Sequence, residues 1–411
     1  MPKFVLRKPN TMTKLLSFLF LAFLCVQMLF AGDLVLYNGN IIDVRTGKIA
    51  YNQTIHIKDG RIAKISTSKS KLRQGQIDVT GKFIVPGLID SHTHYSNFCI
   101  DSVGAANMSQ LYLKNGVTTV RDLGGNYLYI KEYNRLRAER AFYGPDIFYS
   151  SIWATGDFLM PEYHSAGSLQ KDTPWSRKFS VKDSTDAAIE RAVIEAKEIG
   201  ASGFKLYIHY TRDELDRLIP IIRKHGLSVW AHSAQVTGAD ALQTATSGVQ
   251  VMSHAYMIPK NYYPRKSLAD SEYSYLAEVL DSMKAHGVYL DATLALSHQS
   301  GTLFASDVIK EAHRRGVKVL VGTDLPDCQI HKEIALLSSE CGMPNLDLLQ
   351  SATIYGAEVL GRQSSLGIIT KGAEADILVL NSNPLEDISA LKDIFYTISN
   401  GSVVYINNFA Q

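Results

Sequence analysis

The sequence predicts an α/β protein, a (β/α)8 TIM barrel with a small β-sandwich domain built from both ends of the chain. Between residues 83 and 365, short apolar segments alternate with amphipathic segments of helical period, which is typical of βα units around a parallel sheet. From Phe83 onward we count eight such strands, the number that closes a barrel. Both chain ends instead show strands and tight turns without helices.

The first 31 residues differ from the rest of the chain. An apolar run at residues 15–30 is short for a membrane span and is followed by Ala31-Gly32, small residues that are typical of a cleavage point. The segment contains no acidic residue and four cations, Lys3, Arg7, Lys8 and Lys14. We therefore predict that residues 1–31 are a signal peptide and that the mature protein is periplasmic or secreted. An uncleaved membrane anchor is the alternative. Removing the four cations would change the formal net charge from +2 to −2.

The β-sandwich domain is predicted from residues 32–82 and 366–411. In both segments, polar and apolar residues alternate with the period of a half-buried strand. The alternation is interrupted by dipeptides that are typical of tight turns, namely Thr46-Gly47, Asp59-Gly60, Lys371-Gly372 and Asn400-Gly401. We expect strands on both sides of each turn, and we expect all of them to combine into one domain.

The first barrel strand is predicted at residues 83–89, an apolar run that contains Pro86-Gly87. Later in the chain, apolar segments such as residues 203–210 and 227–235 are predicted strands. Amphipathic helices are predicted where apolar residues recur at helical spacing, at residues 184–199, 212–225, 238–246, 275–286 and 307–315.

Two histidines, His92 and His94, follow the first barrel strand with one residue between them. In an extended chain alternate side chains point the same way, so both imidazoles leave the strand end on one side. Two nitrogens that converge in this way can bind one divalent ion. The alternative is a polar turn, but the buried strand ahead of the pair favours a metal site.

Other strands of the predicted barrel also end in groups that can bind metals. Lys205 belongs to the fourth strand, His232 and His254 end the fifth and sixth, and Asp324 ends the eighth. Taken singly, these residues have structural alternatives: a salt-bridged lysine, hydrogen-bonded histidines and a helix cap. Taken together, they predict one site, because the carboxyl ends of barrel strands meet at the same face.

These segments together resemble the amidohydrolase superfamily over essentially the whole mature chain. The resemblance is carried by VPGLIDSHTH, GVTTVRDLGG, GFKLY, VWAHS, VMSHAY, VGTDLP and ADILVLNSNPLEDI. It implies two divalent cations, expected to be Zn²⁺, and a lysine that carbon dioxide has converted to a bridging carbamate. The implied ligands are His92, His94 and Asp324 for one ion, His232 and His254 for the other, and Lys205 as the bridge.

The residue types agree with this chemistry. Neutral imidazoles are good zinc ligands. Two cations would repel an ammonium, so Lys205 can serve only after deprotonation, which burial favours. The ions would activate a bridging water as hydroxide and polarise the scissile carbonyl, and Asp324 would take the proton of that water and pass it to the leaving amine.

Within the superfamily, the chain is most similar to the imidazolonepropionase-like and prolidase-type peptidases. Residues 322–343, which begin at the end of the eighth strand and contain His331 and Glu333, resemble that branch. Two positions that touch substrate in the family differ: Asp157 stands where a histidine is expected, and His232 is followed by Ser-Ala-Gln instead of Ala-His. Tyr207, His209 and Tyr256 remain candidates for substrate contacts.

The resemblance predicts hydrolysis of an amide bond in a small molecule, a dipeptide of aminoacyl-proline type or an N-acyl amino acid. The alternatives are a mononuclear deaminase or cyclic-amide hydrolase, and a non-catalytic binding protein. Lys205 argues against a single-metal site, which needs no bridging anion.

Composition and charge limit the classes of molecule that the protein is expected to bind. A net charge of +2 without a basic stripe argues against nucleic acid, and a homo-oligomer is possible. After the leader, Cys99, Cys328 and Cys341 show no paired spacing, so the sequence leaves a disulfide open without naming it.

Overall fold

The structure is a computed structural model that describes residues 33–68, 71–97, 101–155, 173–178, 180–260 and 264–407. The predicted signal peptide, Cys99 and Asp157 lie outside these residues. Within the described ranges, no helix combines the length and the apolar character needed to cross a membrane. The two cysteines that these ranges contain, Cys328 and Cys341, are both buried free thiols.

Both chain ends contribute to one mostly antiparallel sheet. Its strands are β1 (Leu34–Ile42), β2 (Ile49–Lys58), β3 (Arg61–Thr67), β4 (Ile77–Asp78), β5 (Phe83–Pro86), β15 (Ile377–Leu380), β16 (Ile394–Ser399) and β17 (Ser402–Ile406). Their spatial order is β17-β16-β15-β5-β1-β2-β3, with β4 beside β1. Because β15 pairs with β5, the two chain ends meet in the middle of this sheet. The prediction of one β-domain assembled from both ends is confirmed.

Two of the predicted turns are two-residue hairpin turns. Asp59 and Gly60 join β2 to β3 with φ values of 50° and 72°, and Asn400 and Gly401 join β16 to β17 with 48° and 76°. Positive φ at both positions is the type I′ geometry, whose twist matches that of the flanking strands.

The prediction of a strand pair around Lys371-Gly372 is wrong. A strand follows this turn at Ile377–Leu380, but the described residues before it form no strand. Backbone hydrogen bonds explain the difference. Gly372 N–H donates to the Ile62 carbonyl at 2.8 Å, and Ala373 accepts from Ile62 N–H at 2.9 Å. The turn therefore pairs with β3 instead of with its own sequence neighbours.

The predicted strand at residues 83–89 is divided between the two parts of the molecule. Phe83–Pro86 lies in the β-domain, whereas the first barrel strand is Leu88–Thr93. Pro86 has no N–H for a continuing ladder. At Gly87 the chain passes so close to the second barrel strand that a Cβ atom would lie 2.1 Å from Thr118 Oγ1. Glycine at this position thus permits the crossing.

The barrel strands are β6 (Leu88–Thr93), β7 (Val117–Asp122), β8 (Asp146–Ala154), β10 (Gly203–Leu206), β11 (Ser228–His232), β12 (Val251–Ser253), β13 (Tyr289–Asp291) and β14 (Val319–Leu320), with β9 (Ser176–Lys178) beside β8. Neighbouring strands along this path are parallel. Two backbone hydrogen bonds join the segment after β14 to β6. The N–H of Ser91 donates to the carbonyl of Val321, and the N–H of Asp324 donates to the carbonyl of His92. The predicted barrel is confirmed.

The described helices surround this barrel. They are α1 (Ser102–Lys114), α2 (Tyr127–Ala138), α3 (Asp186–Glu198), α4 (Arg212–Lys224), α5 (Ala241–Thr246), α6 (Tyr273–Ala285), α7 (Leu294–Gln299), α8 (Ala305–Arg315), α9 (Ile330–Ser339), α10 (Asn345–Ser351) and α11 (Ile354–Val359), with 3₁₀ turns at Tyr95–Asn97, Ala255–Met257, Asp270–Glu272 and Ile388–Lys392. Helix α4 shows how local sequence signals determine where a helix begins and which face it buries. Thr211 and Glu214 form a capping box at its start, and its buried face carries Leu215, Leu218 and Ile222.

Candidate metal centre

The carboxyl ends of the barrel strands bring the predicted histidines together. The rings of His92 and His94 are 5.7 Å apart, those of His92 and His254 are 5.0 Å apart, and those of His254 and His232 are 4.5 Å apart, centroid to centroid. All four side chains are buried. The predicted cluster therefore exists as a continuous group of rings.

Asp324 lies at the centre of this group. Its Oδ1 is 3.3 Å from His94 Nε2 and 3.6 Å from His92 Nε2, and its Oδ2 is 3.9 Å from His254 Nε2. Ligand atoms of His92, His254 and Asp324 lie within 4.8 Å of one another. One divalent ion can bind donors that converge in this way.

Two of these residues have unusual backbone conformations. His254 has a φ of 71° and Asp324 a φ of 52°, in the left-handed region that side chains rarely adopt. Such a conformation costs on the order of 1–3 kcal/mol and persists where the surroundings enforce it. Here the backbone N–H of His254 donates to the backbone carbonyl of Asp291 at 3.0 Å. The backbone N–H of Asp324 donates to the backbone carbonyl of His92 at 2.8 Å. These bonds hold both side chains toward the cluster.

Hydrogen bonds at Nδ1 orient three of the rings. His92 Nδ1 is 2.6 Å from Asp291 Oδ2, His94 Nδ1 is 2.7 Å from the Gly124 carbonyl, and His254 Nδ1 is 3.0 Å from Thr293 Oγ1. A carboxylate and a carbonyl can only accept, so His92 and His94 carry their proton on Nδ1 when neutral. The lone pair of each neutral ring then lies on Nε2, where it can bind a metal beside Asp324.

Electrostatics favour the neutral form of three imidazoles, those of His92, His232 and His254, around a carboxylate. Burial lowers the pKa of His92, and it lowers the pKa values of His232 and His254 further below the usual range. Burial alone would raise the pKa of Asp324, but the neighbouring His92 and His94 outweigh it and hold that pKa well below its usual range. Burial likewise lowers the pKa of His94, but contact with Asp324 outweighs it and the net shift is upward. An ionised carboxylate among imidazoles is a donor set for a divalent cation.

Lys205 is fully buried beside this cluster. Its Nζ has no hydrogen-bond partner among the described residues, and burial lowers its pKa to about 7. Lys205 belongs to β10, which pairs with β11, the strand that ends in His232. The charge of Lys205 contributes to the lowered pKa values of both His92 and His232. His232 Nδ1 is also buried, and the described part of the chain offers it no partner. Burying a polar atom without a hydrogen-bond partner costs free energy. Lys205 Nζ and His232 Nδ1 therefore fit a bound group that would contact them.

Two of the three candidate substrate contacts lie beside predicted metal ligands. Tyr207 packs edge-on against His232, with ring centroids 4.4 Å apart, and the Tyr256 ring is 5.5 Å from that of His254. His209 is half-buried, and its Nδ1 lies 2.6 Å from Thr237 Oγ1. Tyr207 and Tyr256 therefore contact predicted ligands, whereas His209 is tied to a loop.

Two other residues singled out from the sequence have structural roles. Gln235 is buried, and its Oε1 accepts from Tyr210 N–H at 3.4 Å, so its amide faces the backbone. Glu333 accepts from Leu294 N–H at 2.8 Å and from Ala295 N–H at 2.6 Å, at the start of α7. Burial raises the pKa of Glu333 to about 8.

Asp291 and Arg121 contribute to the site, although neither was predicted from the sequence. Asp291 ends β13 and contacts His92, and Arg121 lies inside β7 and contacts Asp291. A charged residue in a barrel strand was the available signal in both cases.

Comparison with known proteins identifies the family. Residues 83–405 match the model of the amidohydrolase family. The chain belongs to the amidohydrolase family. This amidohydrolase is therefore a metal-dependent hydrolase that acts on carbon–nitrogen bonds, and the predicted resemblance is confirmed.

Individual relatives are distant. An imidazolonepropionase of Thermoplasma volcanium is 22% identical over 406 residues, covering 86% of this chain and 91% of that protein. Adenine deaminase 1 of Latilactobacillus sakei is 22% identical over 363 residues, covering 85% of this chain and 54% of that protein. The chain thus spans about half the length of this deaminase. A crystal structure of a Xaa-Pro dipeptidase with bound methionine in the active site has a TM-score of 0.73 at 21% identity, over 92% of this chain and 100% of that one. The structural likeness reflects a shared fold.

Proposed function

We propose that this amidohydrolase binds two divalent cations and hydrolyses an amide bond in a small substrate, a dipeptide of aminoacyl-proline type or an N-acyl amino acid. The observation that carries the proposal is Lys205. A lysine amine that is fully buried, lacks a hydrogen-bond partner among the described residues and has a pKa lowered to about 7 is suited to carboxylation.

The proposed ligands form two groups around that lysine. His92, His94 and Asp324 would hold one ion, and His232 and His254 would hold the other. The carbamate of Lys205 would supply the anion shared between them. Imidazole and carboxylate donors agree with Zn²⁺ as the metal.

Bound ions of this kind supply Lewis acidity and lower the pKa of water. In the proposed reaction Asp324 accepts the proton of the attacking water and delivers it to the leaving amine. Its Oδ2 is 3.9 Å from His254 Nε2, so this carboxylate is near both ligand groups. Tyr207 and Tyr256 would position the substrate from the sides of His232 and His254.

Metal analysis together with a substrate panel tests this proposal. The purified protein, supplied with Zn²⁺ and bicarbonate, should contain two ions per chain. It should release amino acid from one or more members of a panel of Xaa-Pro dipeptides, other dipeptides and N-acyl amino acids. No bound metal, or two bound ions with no hydrolysis of any amide in the panel, would contradict it.

A mononuclear deaminase or cyclic-amide hydrolase is the second candidate. The convergence of His92, His254 and Asp324 within 4.8 Å favours it, because three such donors suffice for one ion. Similarity to an imidazolonepropionase over 86% of the chain points the same way. One ion per chain, with ammonia release from a nucleobase or opening of a cyclic amide, would replace the first proposal by this one.

A further inference from the structure

A buried ionic network lies behind His92, on the side of the ring away from Asp324. Asp291 Oδ2 is approached by three donors: His92 Nδ1 at 2.6 Å, Ser253 Oγ at 2.9 Å and Arg121 Nη2 at 3.1 Å. The Asp291 and Arg121 side chains are both completely buried. One carboxylate oxygen therefore collects donors from three different barrel strands.

Two further contacts hold Arg121 in place. Its Nε donates to the Ser91 carbonyl at 2.6 Å, and its guanidinium lies over the Trp230 ring, 4.9 Å from the centroid. Burying a charged pair costs more desolvation than a well-packed apolar pair would, so the stability of the barrel does not account for it. An ion pair in contact with a predicted metal ligand indicates a role in orienting that ligand.

The local packing preserves the contact between Asp291 and His92. Gly322, two residues before Asp324, faces both side chains. A Cβ atom at this position would lie 2.2 Å from Asp291 Oδ1 and 2.8 Å from His92 Cβ. The absence of a side chain at residue 322 therefore lets the carboxylate approach the imidazole ring.

We infer that Asp291, held in place by Arg121, is the positioning residue that fixes the ring orientation and the tautomer of His92 for metal binding. Because Asp291 accepts the Nδ1 proton, the lone pair remains on Nε2, which lies 3.6 Å from Asp324 Oδ1. The inference rests on the proposed role of His92 as a metal ligand. It adds two residues that do not contact the metal themselves.

The contact also makes the His92 ring a stronger donor than the other oriented rings. A carboxylate partner raises the basicity of an imidazole more than a neutral acceptor does. His94 has a backbone carbonyl and His254 a hydroxyl in the corresponding place. Loss of Asp291 should therefore weaken the ion held by His92 and leave the ion held by His232 closer to its original affinity.

The experiment compares Asp291→Asn with Glu333→Gln, both in the full-length chain. The first substitution keeps an oxygen near His92 but removes the carboxylate charge that Arg121 contacts. The second also replaces a buried carboxyl group by an amide, but Glu333 contacts backbone N–H groups. Zinc affinity is measured by competition with a chelator at a temperature at which both variants are folded. We expect Asp291→Asn to lose about 10- to 100-fold in affinity for one of the two ions and Glu333→Gln to match the wild type.

A second measurement needs no Asp291 variant. Long-range ¹H–¹⁵N spectra of the metal-stripped wild type, with the His92 signal assigned through His92→Gln, report which ring nitrogen carries the proton. We expect protonation at Nδ1. Protonation of His92 at Nε2, or unchanged zinc affinity in Asp291→Asn, would overturn the inference. A wild type that binds fewer than two ions but shows the Nδ1 tautomer would instead overturn the proposed binuclear function alone.

Discussion

Lys205 combines an ionisable amine with a fully buried position. Its amine is completely buried, and the removal of Lys205 tests whether the amine carries a bridging anion. Lys205→Ala should lose metal and at least about 100-fold in kcat together, because two nearby cations would then lack the anion between them. A short carboxylic acid in the buffer should restore part of the activity. Lys205→Arg should not, because a guanidinium stays protonated and cannot be carboxylated.

Metal content and steady-state kinetics are measured on the same preparations. Lys310→Ala, which removes an exposed lysine from α8, is the matched control and should behave as the wild type. If Lys205→Ala retains two metals and full turnover, the carbamate hypothesis is wrong.

Asp324 tests the proton transfer separately from the metal. An asparagine keeps an oxygen that can bind a cation but cannot accept the proton of water. Asp324→Asn should therefore lower kcat by about 10²- to 10⁴-fold while retaining more metal than Lys205→Ala. Turnover within twofold of the wild type, at full metal content, would remove Asp324 from the proton-transfer role. The readout is kcat normalised to bound metal.

Residue-level prediction worked where strand geometry alone placed the side chain. The HxH alternation placed His92 and His94 on one side, and parallel strands placed His232, His254 and Asp324 at the same face. Asp291 could not be found in this way. Its contact with His92 depends on the absence of a side chain at Gly322 and on a buried arginine from another strand, neither of which is visible in a periodic pattern.

At the scale of elements, boundaries set by local signals were predictable, and boundaries set by contacts in the folded chain were not. The helix predicted at residues 212–225 is observed at Arg212–Lys224, because its apolar period and capping residues are local signals. The apolar run at residues 83–89 gave no signal of its division between two sheets. That division depends on close packing between Gly87 and Thr118, a contact made only in the folded chain.

The hairpin turns at Asp59-Gly60 and Asn400-Gly401 contact each other. A substitution at Gly401 therefore tests how much packing between the two chain ends contributes to stability. Its φ is 76°, and a Cβ atom would lie 2.9 Å from Gly60 Cα. Gly401→Ala should therefore lower the free energy of unfolding by more than the roughly 1–2 kcal/mol that left-handed backbone alone costs. Gly81→Ala is the matched control, because Gly81 has a φ of 77° and no described atom within 4 Å of its Cβ position.

Chemical denaturation of both variants measures the difference. Equal losses would mean that the cost at Gly401 comes from backbone conformation alone and that the contact between the turns contributes nothing. A larger loss at Gly401 would show that the two ends of the chain stabilise each other through these turns.

At the scale of the whole molecule, Asp376 is a buried carboxyl group of the β-domain that lies close to Asp146 of barrel strand β8. Its Oδ1 accepts from Asn400 N–H at 2.7 Å, and its Oδ2 has no hydrogen-bond partner within the described ranges. Burial, with a further contribution from nearby Asp146, raises the pKa of Asp376 from 3.8 to about 8. The folded protein therefore holds a proton on this group that the unfolded chain releases above pH 3.8.

The sign of the pH dependence follows from this difference. A raised carboxyl pKa contributes stability that is complete below pH 3.8 and is lost as the pH rises to about 8. The loss amounts to at most about 1.4 kcal/mol per pH unit. Asp376→Asn should therefore be more stable than the wild type at pH 8–9, by several degrees in Tm, and similar to it near pH 4.

Thermal unfolding between pH 4 and 9 measures this effect. Asp90 and Glu333 also have raised pKa values, about 7 and about 8, so the informative quantity is the difference between the variant and the wild type. Asp270→Asn, which removes an exposed carboxylate, is the control and should follow the wild type. If Asp376→Asn follows it as well, Asp376 is ionised in the folded state.

The last prediction concerns export. We propose that residues 1–31 are removed and that the mature protein begins near Gly32. Strand β1 begins at Leu34, whose side chain is buried, so cleavage at this point would leave every strand of the β-domain intact. Amino-terminal sequencing of the protein from its native host should give Gly32 or a neighbouring residue in the periplasmic or secreted fraction.

A charge in the apolar run separates a signal peptide from an incidental hydrophobic segment. Leu21→Arg places a cation inside residues 15–30, where insertion into a membrane would cost about 2.5–3.5 kcal/mol more. The variant should accumulate in the cytoplasm with its leader uncleaved, whereas an arginine at Tyr51, an exposed residue of β2, should leave processing unchanged. Wild-type protein that retains residues 15–30 in the membrane fraction would favour the anchor, since export would then occur without cleavage.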